Sequence, residues 1–404
     1  MILAANHPQR LNGNKRKCII MKLFLLALSF VTIQFAVAQS SFHKIAVFTP
    51  LFLDSVFDKN GTYLPDKMVA RFTGPGLDFY LGAQLALDSL GKRGAPVEAY
   101  FFDTKSKESL TQQLAKADLN GIELMIGETN ASETKLIAEI AQKRKIPFIS
   151  ATLPNDAGIT NDAYLVILNS TLQTHVEGIY RYLQKYFSKS KIIIFRKSGA
   201  QEDQLKKDFL DFAKTISGGS LPFNYVDVGT NFSSNVLASY LDSSRANVCI
   251  AGSLDTDFGM KLAQGLNTIR KTYPITLIGM PTWDNLNLTN GPLNDLEIIY
   301  STPFYYNYST SFENQLASSF NNKLYARPSD MYFRGYETTL RFTLMLLDNK
   351  RDLASSLTLK GNNVFTQLDI QPVFKDKKTM VLDYFENKHL YFIKVFGGVK
   401  NIVY

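Results

Sequence analysis

Apolar and polar positions over residues 43–150 follow the order strand, helix, strand, helix, strand. Short apolar runs with the length of buried parallel strands occur at residues 43–50, 97–102, 123–126 and 147–150. Between the first two, apolar residues recur at helical spacing, at Phe79, Ala83, Ala86, Leu87 and Leu90. This order predicts an open parallel sheet with right-handed crossovers. Because ligands of such sheets bind beyond the carboxyl ends of the strands, function is expected in the loops that follow them.

A second alternation of similar size follows in the chain. Its predicted strands are residues 163–168, 191–195, 223–228, 248–251, 275–278 and 296–301. Its predicted helices are residues 171–187, 204–216, 235–242 and 258–270. The repetition is one of pattern and not of sequence, and it predicts a second α/β lobe.

The last hundred residues change from a helical to a strand pattern. Two helices are predicted at residues 312–324 and 330–348, followed by strands at 365–374, 379–383, 389–395 and 400–404 that read as hairpins. No low-complexity linker divides the chain, so we expect the two lobes to exchange segments. Residues 51–73, polar and aromatic, are predicted to form a loop over the mouth of a cleft.

The N-terminus has the pattern of a secretory signal peptide. Met21 and Lys22 precede an apolar run at residues 23–37, which ends in an A-x-A pattern at Ala38. The run is short for a membrane anchor and lacks a charged stop. We therefore expect initiation at Met21, export and cleavage after Ala38. Since no cysteine follows that site, a lipid anchor is not expected.

The basic charge of the chain belongs mostly to this leader. The formal net charge of the 404 residues is +8, but residues 1–38 carry five basic and no acidic residues, which leaves +3 after cleavage. The charge therefore gives no reason to expect nucleic-acid binding. Cys249 would be the cysteine that remains, so the mature chain has no internal disulfide; in the apolar run NVCIAG it reads as a small buried side chain.

Catalytic motifs do not assemble in the sequence. The mature chain keeps His43, His175 and His389, none of them in an H-E-x-x-H motif or beside a nucleophilic cysteine. No G-x-S-x-G elbow, P-loop or G-x-G-x-x-G is present. We predict a protein that is not an enzyme and that uses no metal or cofactor.

An ordered series of motifs resembles a known family. KIAVFTPL, YLGAQLALDSL, MIGETNAS and IPFISAT, then KIIIFRKSGAQEDQL, VCIAGSLDTDFG, ITLIGMPTW and FRGYETTL, resemble type I periplasmic solute-binding proteins of the branched-chain amino acid class. The resemblance covers the mature chain. The helix YLGAQLALDSL and the ending ENKHLYFIKVFGG also look like a related group with peptidoglycan-binding LysM modules, although no such module is visible here.

The resemblance implies a periplasmic monomer of two Rossmann-like α/β lobes that close on a small ligand about a hinge of three crossovers. By analogy these lie near residues 168–169, near 301–302, and between 383 and 389. The N-terminal lobe would comprise residues 41–168 plus 302–385, and the C-terminal lobe residues 169–301 plus 386–404.

The resemblance also places a ligand site in the first lobe. Hydroxyls and backbone N–H groups after the third and fourth strands of that family hold the carboxylate of an amino acid. The corresponding loops are residues 128–132 and 150–154, where Ser132 and Thr152 keep hydroxyls. Ala131 stands where a hydroxyl is expected, and Pro154 stands where both a hydroxyl and an N–H are expected.

In the second lobe the family contributes an aromatic residue, for which this chain has Gln201, and an acid for the ammonium group of the ligand. That acid falls at Thr282, with Trp283 and Asp284 next, so Asp284 could substitute only if the loop shifts. We predict a cleft faced by Ser132, Thr152, Gln201, Asp255 and Trp283.

Local alternatives exist at several of these positions. Asn130 and Ser132 either cap the helix that follows or contact ligand, and the same choice applies to Asp255. Trp283, the only tryptophan of the chain, either fills a core or stacks on a ligand.

Two functions of different classes stay open, besides a third hypothesis, an enzyme that uses the cleft, which no motif supports. The first is a binding protein that captures a small polar ligand, an amino acid or a related compound, by hinge closure, with an ABC permease as partner. The second is an envelope interaction protein of the same fold that binds no ligand or senses muropeptides, with peptidoglycan components as partners. The incomplete carboxylate loops favour the second.

Overall fold

The computed structural model describes residues 42–65, 69–117, 119–306, 310–349, 353–359, 361, 363–375, 378 and 380–404. The predicted signal peptide, residues 1–38, lies outside these ranges. Among the helices in these ranges, none has the length and apolar character needed to cross a bilayer.

Seven strands form the first sheet. They are β1 His43–Thr49, β2 Val97–Asp103, β3 Ile122–Gly127, β4 Phe148–Ser150, β5 Leu165–Ile167, β11 Ile370–Val373 and β12 Tyr384–Asn387. Their order across the sheet is β11-β12-β5-β4-β3-β1-β2. The pairs β1–β3, β3–β4, β4–β5 and β5–β12 are parallel, and β11–β12 is antiparallel.

Seven further strands form the second sheet. They are β6 Lys191–Arg196, β7 Phe223–Asp227, β8 Asn247–Ala251, β9 Ile275–Ile278, β10 Glu297–Thr302, β13 Tyr391–Phe396 and β14 Val399–Ile402. Their order is β14-β13-β10-β9-β8-β6-β7. The strands from β7 to β10 pair in parallel, whereas β13 is antiparallel to both β10 and β14. The predicted two-lobe α/β fold is confirmed, with antiparallel strands at one edge of each sheet.

Helices connect and cover these strands. They are α1 Leu53–Val56, α2 Gly74–Lys92, α3 Leu110–Lys116, α4 Ala131–Arg144, α5 Leu172–Phe187, α6 Ala200–Thr215, α7 Ser234–Ala238, α8 Thr256–Ile269, α9 Ser311–Leu324, α10 Asp330–Asn349 and α11 Leu353–Ser356. Short 3₁₀ segments occupy Arg71–Thr73 and Pro281–Asn285. The sequence pattern missed α3, which buries only Leu110 and Leu114 and is too short to show a helical period.

Alternation along the first sheet builds two cores. Ile45 and Val47 of β1 join a core that includes residues of α2 and α10, whereas Ala46 and Phe48 join the core on the other face. This is the two-residue period of a strand that is covered on both faces. In the second sheet the equivalent strands share one larger core, which includes Cys249, fully buried as predicted.

The C-terminal strands differ from the sequence prediction. The strand predicted at residues 365–374 is limited to β11, and described residues 380–383 are not a strand, since β12 begins at Tyr384. Residue 379 lies outside the described residues. Because β12 runs parallel to β5 in the first sheet as far as Asn387, the predicted lobe boundary between residues 385 and 386 falls inside a strand. The chain enters the second sheet again only at β13.

Candidate functional site

A cavity of about 230 Å³ is lined by residues of both lobes. The lining comes from the loop after β4, the start of α5, the 3₁₀ segment after β9, the end of β10 and the first turns of α10. The lining residues include Pro154, Asn169, Ser170, His175, Leu254, Thr282, Asp284, Ser301, Thr302, Phe304 and Arg334. The cavity therefore lies beyond the carboxyl ends of parallel strands of both sheets, where ligands of such sheets bind.

Arg334 is the cationic residue among the described residues that line this cavity. Its guanidinium carbon lies 3.8 Å from the ring centroid of Phe304. This is a cation–π contact, and it holds the planar group against the aromatic face. The Nε atom is buried and hydrogen-bonds to no described group. Arg334 thus brings a donor without a partner to the cavity.

Asp284 and Asp330 place negative charge near the arginine. Asp284 Oδ2 accepts a hydrogen bond of 2.9 Å from Thr302 Oγ1, which ties the 3₁₀ segment to the end of β10. Loss of hydration raises the pKa of Asp330, and the Asp284 carboxylate raises it further, whereas Arg334 opposes both effects. The cavity therefore presents both signs of charge.

His175 forms a neutral polar part of the lining. It is 2% exposed, and its Nδ1 atom lies 2.8 Å from Ser301 Oγ. Burial lowers the pKa of the imidazole to about 3, so the ring is uncharged at neutral pH. The contact joins α5 to β10.

Glu128 lies just after β3 and is 8% exposed. Burial raises the pKa of this carboxyl group to about 7, against the opposing effects of the Thr49 hydroxyl and the Arg334 charge. Thr49 Oγ1 is 2.9 Å from Glu128 Oε2 and 3.0 Å from the carbonyl oxygen of Gly76. A protonated Glu128 completes both contacts, since it donates to the hydroxyl while the hydroxyl donates to Gly76.

Two larger and more open depressions, of about 480 and 520 Å³, lie beside α5 and share Glu177 and Arg181. Lys388, in the first of them, is already paired, since its Nζ lies 2.7 Å from Glu386 Oε2. We take the interlobe cavity as the candidate site because both lobes line it and it lies beyond the carboxyl ends of their parallel strands.

Comparison with known proteins identifies the family. The profile of the periplasmic binding protein family matches residues 69–347. This chain belongs to that family. Its members are binding proteins and not enzymes. A search of curated protein sequences finds no match.

Solved structures of periplasmic binding proteins share the fold. A Rhodospirillum rubrum protein described as a candidate branched-chain amino acid ABC transporter aligns with a TM-score of 0.63, at 15% identity over 90% of this chain and 100% of its own. A Burkholderia xenovorans branched-chain amino acid ABC transporter periplasmic ligand-binding protein aligns at 0.60, with 14% identity over 89% and 94%. A Desulfitobacterium hafniense ABC transporter substrate-binding protein in complex with Leu aligns at 0.54, with 14% identity over 90% and 99%.

Of the site residues predicted from the sequence, Thr282 and Asp284 line the cavity of this periplasmic binding protein. Trp283, between them, does not. It is 0% exposed and lies in the core of the second sheet, where a Cβ at Gly279 would come within 2.4 Å of the indole. The expectation that Trp283 faces the cleft is wrong in this structure, because the 3₁₀ segment turns its side chain into the core while Pro281, Thr282, Asp284 and Asn285 line the cavity.

Asn130, Ala131 and Ser132, predicted to bind ligand in the first lobe, instead form the N-terminal cap and first turn of α4. Asn130 Oδ1 accepts hydrogen bonds from Glu133 N at 3.0 Å and Ser132 Oγ at 2.8 Å, and Glu133 Oε2 accepts from Asn130 N at 2.9 Å. This reciprocal pattern is a capping box. Ala131 is the exposed first residue of the helix. These residues do not line the cavity.

The remaining predicted residues also lie away from the cavity lining. Asp255 caps α8 through the N–H groups of its first turn and pairs with Lys197, which lowers the pKa of Asp255. Gln201 is exposed in the first turn of α6. Thr152 contributes a structural carbonyl that accepts a 2.6 Å hydrogen bond from Asn169 Nδ2. The predicted cleft-facing set is therefore not brought together.

Two lining residues escaped the sequence analysis although each leaves a signal. Arg334 falls early in α10, where the helix dipole disfavours a cation, so its presence needs another reason. His175 stands four residues before Ile179 and extends the buried face of α5, which marks it as a buried histidine.

Proposed function

We propose that this periplasmic binding protein captures a small polar ligand, an amino acid or a related compound, between its two lobes by hinge closure. The supporting observation is the origin of the cavity lining, which comes from both sheets and from the segments after β5 and β10 that join them. A ligand there contacts the elements that must move, so it can favour one lobe arrangement over another.

Delivery to an ABC importer is the second part of the proposal. It is supported by relatives whose descriptions name ABC transporters, all at low identity. A periplasmic location after removal of residues 1–38, the absence of catalysis and the predicted lobe boundaries, apart from the one between residues 385 and 386, belong to the same proposal. In it the interlobe residues Thr282 and Asp284 contact ligand.

The second candidate function is that of an envelope interaction protein, which has the same fold but does not bind an amino acid. The residues predicted to hold the ligand carboxylate, Asn130 and Ser132, are hydrogen-bonded to each other at the start of α4. That observation favours an envelope interaction protein that binds muropeptides or no ligand at all.

Thermal unfolding of residues 39–404 tests the two functions. The protein is refolded from denaturant to remove carried ligand and then heated with amino acids, small peptides or muropeptides. A ligand present at 100 times its Kd adds about 2.7 kcal/mol and raises the midpoint. A shift with amino acids supports capture for transport, whereas a shift with muropeptides alone supports the envelope function.

A cavity-filling variant locates the binding. Leu254→Trp places an indole in the cavity lining and should abolish the shift. Leu210→Trp, at a side chain that is 41% exposed, is the matched control and should retain it. Loss of the shift in both variants, or in neither, would place the ligand elsewhere.

A further inference from the structure

The group that holds the ligand's negative charge can be inferred from the cavity itself. We propose that Arg334 is the anion-binding residue of this periplasmic binding protein and replaces the loops at residues 128–132 and 150–154 in that role. Its ligand would be a small carboxylate that also carries an ammonium group. This inference rests on the proposed function.

The first argument is the geometry of Arg334. Its contact with Phe304, at 3.8 Å, holds the guanidinium against the ring and leaves the edge N–H groups for other partners. Its Nε is buried without a hydrogen-bond partner among the described residues, which costs free energy until an acceptor arrives. A carboxylate can accept from Nε and a terminal nitrogen together, and this two-point contact is the strongest that arginine makes.

The second argument is that two carboxylates of the first lobe, Glu337 and Glu128, already have other partners. Glu337, three residues along α10, accepts from Thr366 N at 2.8 Å and from Thr366 Oγ1 at 2.8 Å. Glu128 is held by Thr49 at 2.9 Å. The Arg334 charge opposes the rise that burial causes in the pKa of Glu128 and also acts on Asp330 and on the Tyr306 hydroxyl. Within the described residues the guanidinium forms no ion pair, so its charge can attract a ligand.

The third argument is the state of the predicted carboxylate loops. Asn130 and Ser132 use their polar groups to start α4. Pro154 lines the cavity but has no N–H to donate. His175 is neutral, because burial lowers its pKa to about 3. Among the described lining residues, Arg334 is therefore the group suited to an anion.

Asp284 then restricts the ligand further. A ligand with only negative charge would be repelled by this carboxylate, which lines the same cavity. A positive group on the ligand removes the repulsion. We therefore expect zwitterions to bind more tightly than carboxylic acids of the same carbon skeleton.

The experiment is a titration calorimetry series on residues 39–404. L-Leucine, the other amino acids, 3-methylbutylamine and 4-methylpentanoate serve as probes, so the carboxylate and the amine are removed separately. Arg334→Gln should weaken binding of an amino acid at least tenfold, and Arg334→Lys should recover part of the loss. Arg327→Gln, at an exposed arginine, is the control and should bind normally.

A coupling measurement separates recognition from a structural effect. In the unchanged protein, removal of the ligand carboxylate should cost at least tenfold in affinity; in Arg334→Gln that cost should largely disappear. Amino-acid affinity that is unchanged in Arg334→Gln, or an undiminished penalty for the missing carboxylate, would overturn the inference and leave the proposed function standing. If no amino acid binds the unchanged protein, the proposed function and this inference both fall.

Discussion

Gly335 of α10 lies directly against the backbone of Phe79 in α2, and a Cβ at position 335 would come within 2.2 Å of the Phe79 carbonyl oxygen. Gly82 of α2 lies equally close to the backbone of α10, since a Cβ at Gly82 would come within 2.0 Å of the Tyr332 carbonyl oxygen. Two glycines thus allow the helices to approach backbone to backbone. This approach determines where Arg334 projects.

Gly335→Ala should therefore destabilise the protein. The added methyl group meets backbone that cannot move away, and overpacking of this kind costs about 1–3 kcal/mol. Denaturant unfolding of the purified variant measures the loss. Gly91→Ala is the control: it lies in α2, the helix that packs on α10, but a Cβ there has no neighbour within 4 Å, so the change should be neutral or stabilising by roughly 0.5–1 kcal/mol. Equal stability of the two variants would contradict the close approach.

Trp283 should contribute to stability and not to ligand contact. Because its side chain is 0% exposed within the core of the second sheet, Trp283→Ala should cost about 3–5 kcal/mol. Trp283→Phe should lose less and keep the ligand affinity of the unchanged protein. Chemical unfolding and calorimetry check the two statements. A Phe variant that is fully stable but no longer binds ligand would return Trp283 to the site.

Glu386 should hold the first and third crossovers together. Its Oε1 accepts from Thr171 N at 2.7 Å and Thr174 Oγ1 at 2.6 Å, and its Oε2 lies 2.7 Å from Lys388 Nζ. The Glu386 carboxylate of β12 thereby accepts hydrogen bonds at the N-terminus of α5, in the other lobe, where negative charge is stabilised by the helix dipole. Glu386→Ala should cost roughly 1–3 kcal/mol, because buried donors lose their acceptor.

Glu386→Gln retains an acceptor and should lose less stability than the alanine variant. Unfolding in denaturant measures both variants. Glu139→Ala, on the exposed surface of α4, is the control and should lie close to the unchanged protein. A Glu386→Ala variant of unchanged stability would show that the crossovers do not depend on this carboxylate.

Glu128 should make stability fall between mildly acidic and neutral pH. Its pKa in the folded protein is about 7, above the value of 4.5 for an unperturbed carboxyl group, so the folded state binds the proton more tightly. The stability from this group is complete below pH 4.5 and is lost as the pH rises through 7. The loss is at most about 3–4 kcal/mol, as the shift from 4.5 to about 7 implies.

The difference between the unchanged protein and Glu128→Gln isolates this effect. Thr49, Arg334, Asp78 and Glu133 influence the Glu128 carboxyl group and are the same in both proteins, as is His175 elsewhere in the cavity lining. Thermal unfolding from pH 4.5 to 8 should show the two curves diverging in favour of Glu128→Gln as the pH rises. Parallel curves would mean that Glu128 is ionised throughout.

Much of the fold could be predicted because it depends on short-range pattern. The buried strand β6 and the helix α5 show their periods over six and sixteen residues. β12 was placed several residues early because residues 379–387 alternate weakly, and its position depends on pairing with the distant β5.

The site was predicted less well, since the identity of its residues depends on side-chain direction. Asp284 and Trp283 are adjacent in the sequence, yet one lines the cavity and the other is buried in the core. A single turn of 3₁₀ helix decides between these directions, and no local pattern reports it.

By itself, the sequence of this periplasmic binding protein determined two α/β lobes and their order of strands and helices, because hydrophobic periodicity follows from burial of one face or of both. Tertiary structure alone decided that Arg334, His175 and Asp284 meet in one cavity. The most distant of them, His175 and Arg334, are about two fifths of the chain apart, and only the packing of α10 on α2 and the pairing of distant strands bring the side chains together.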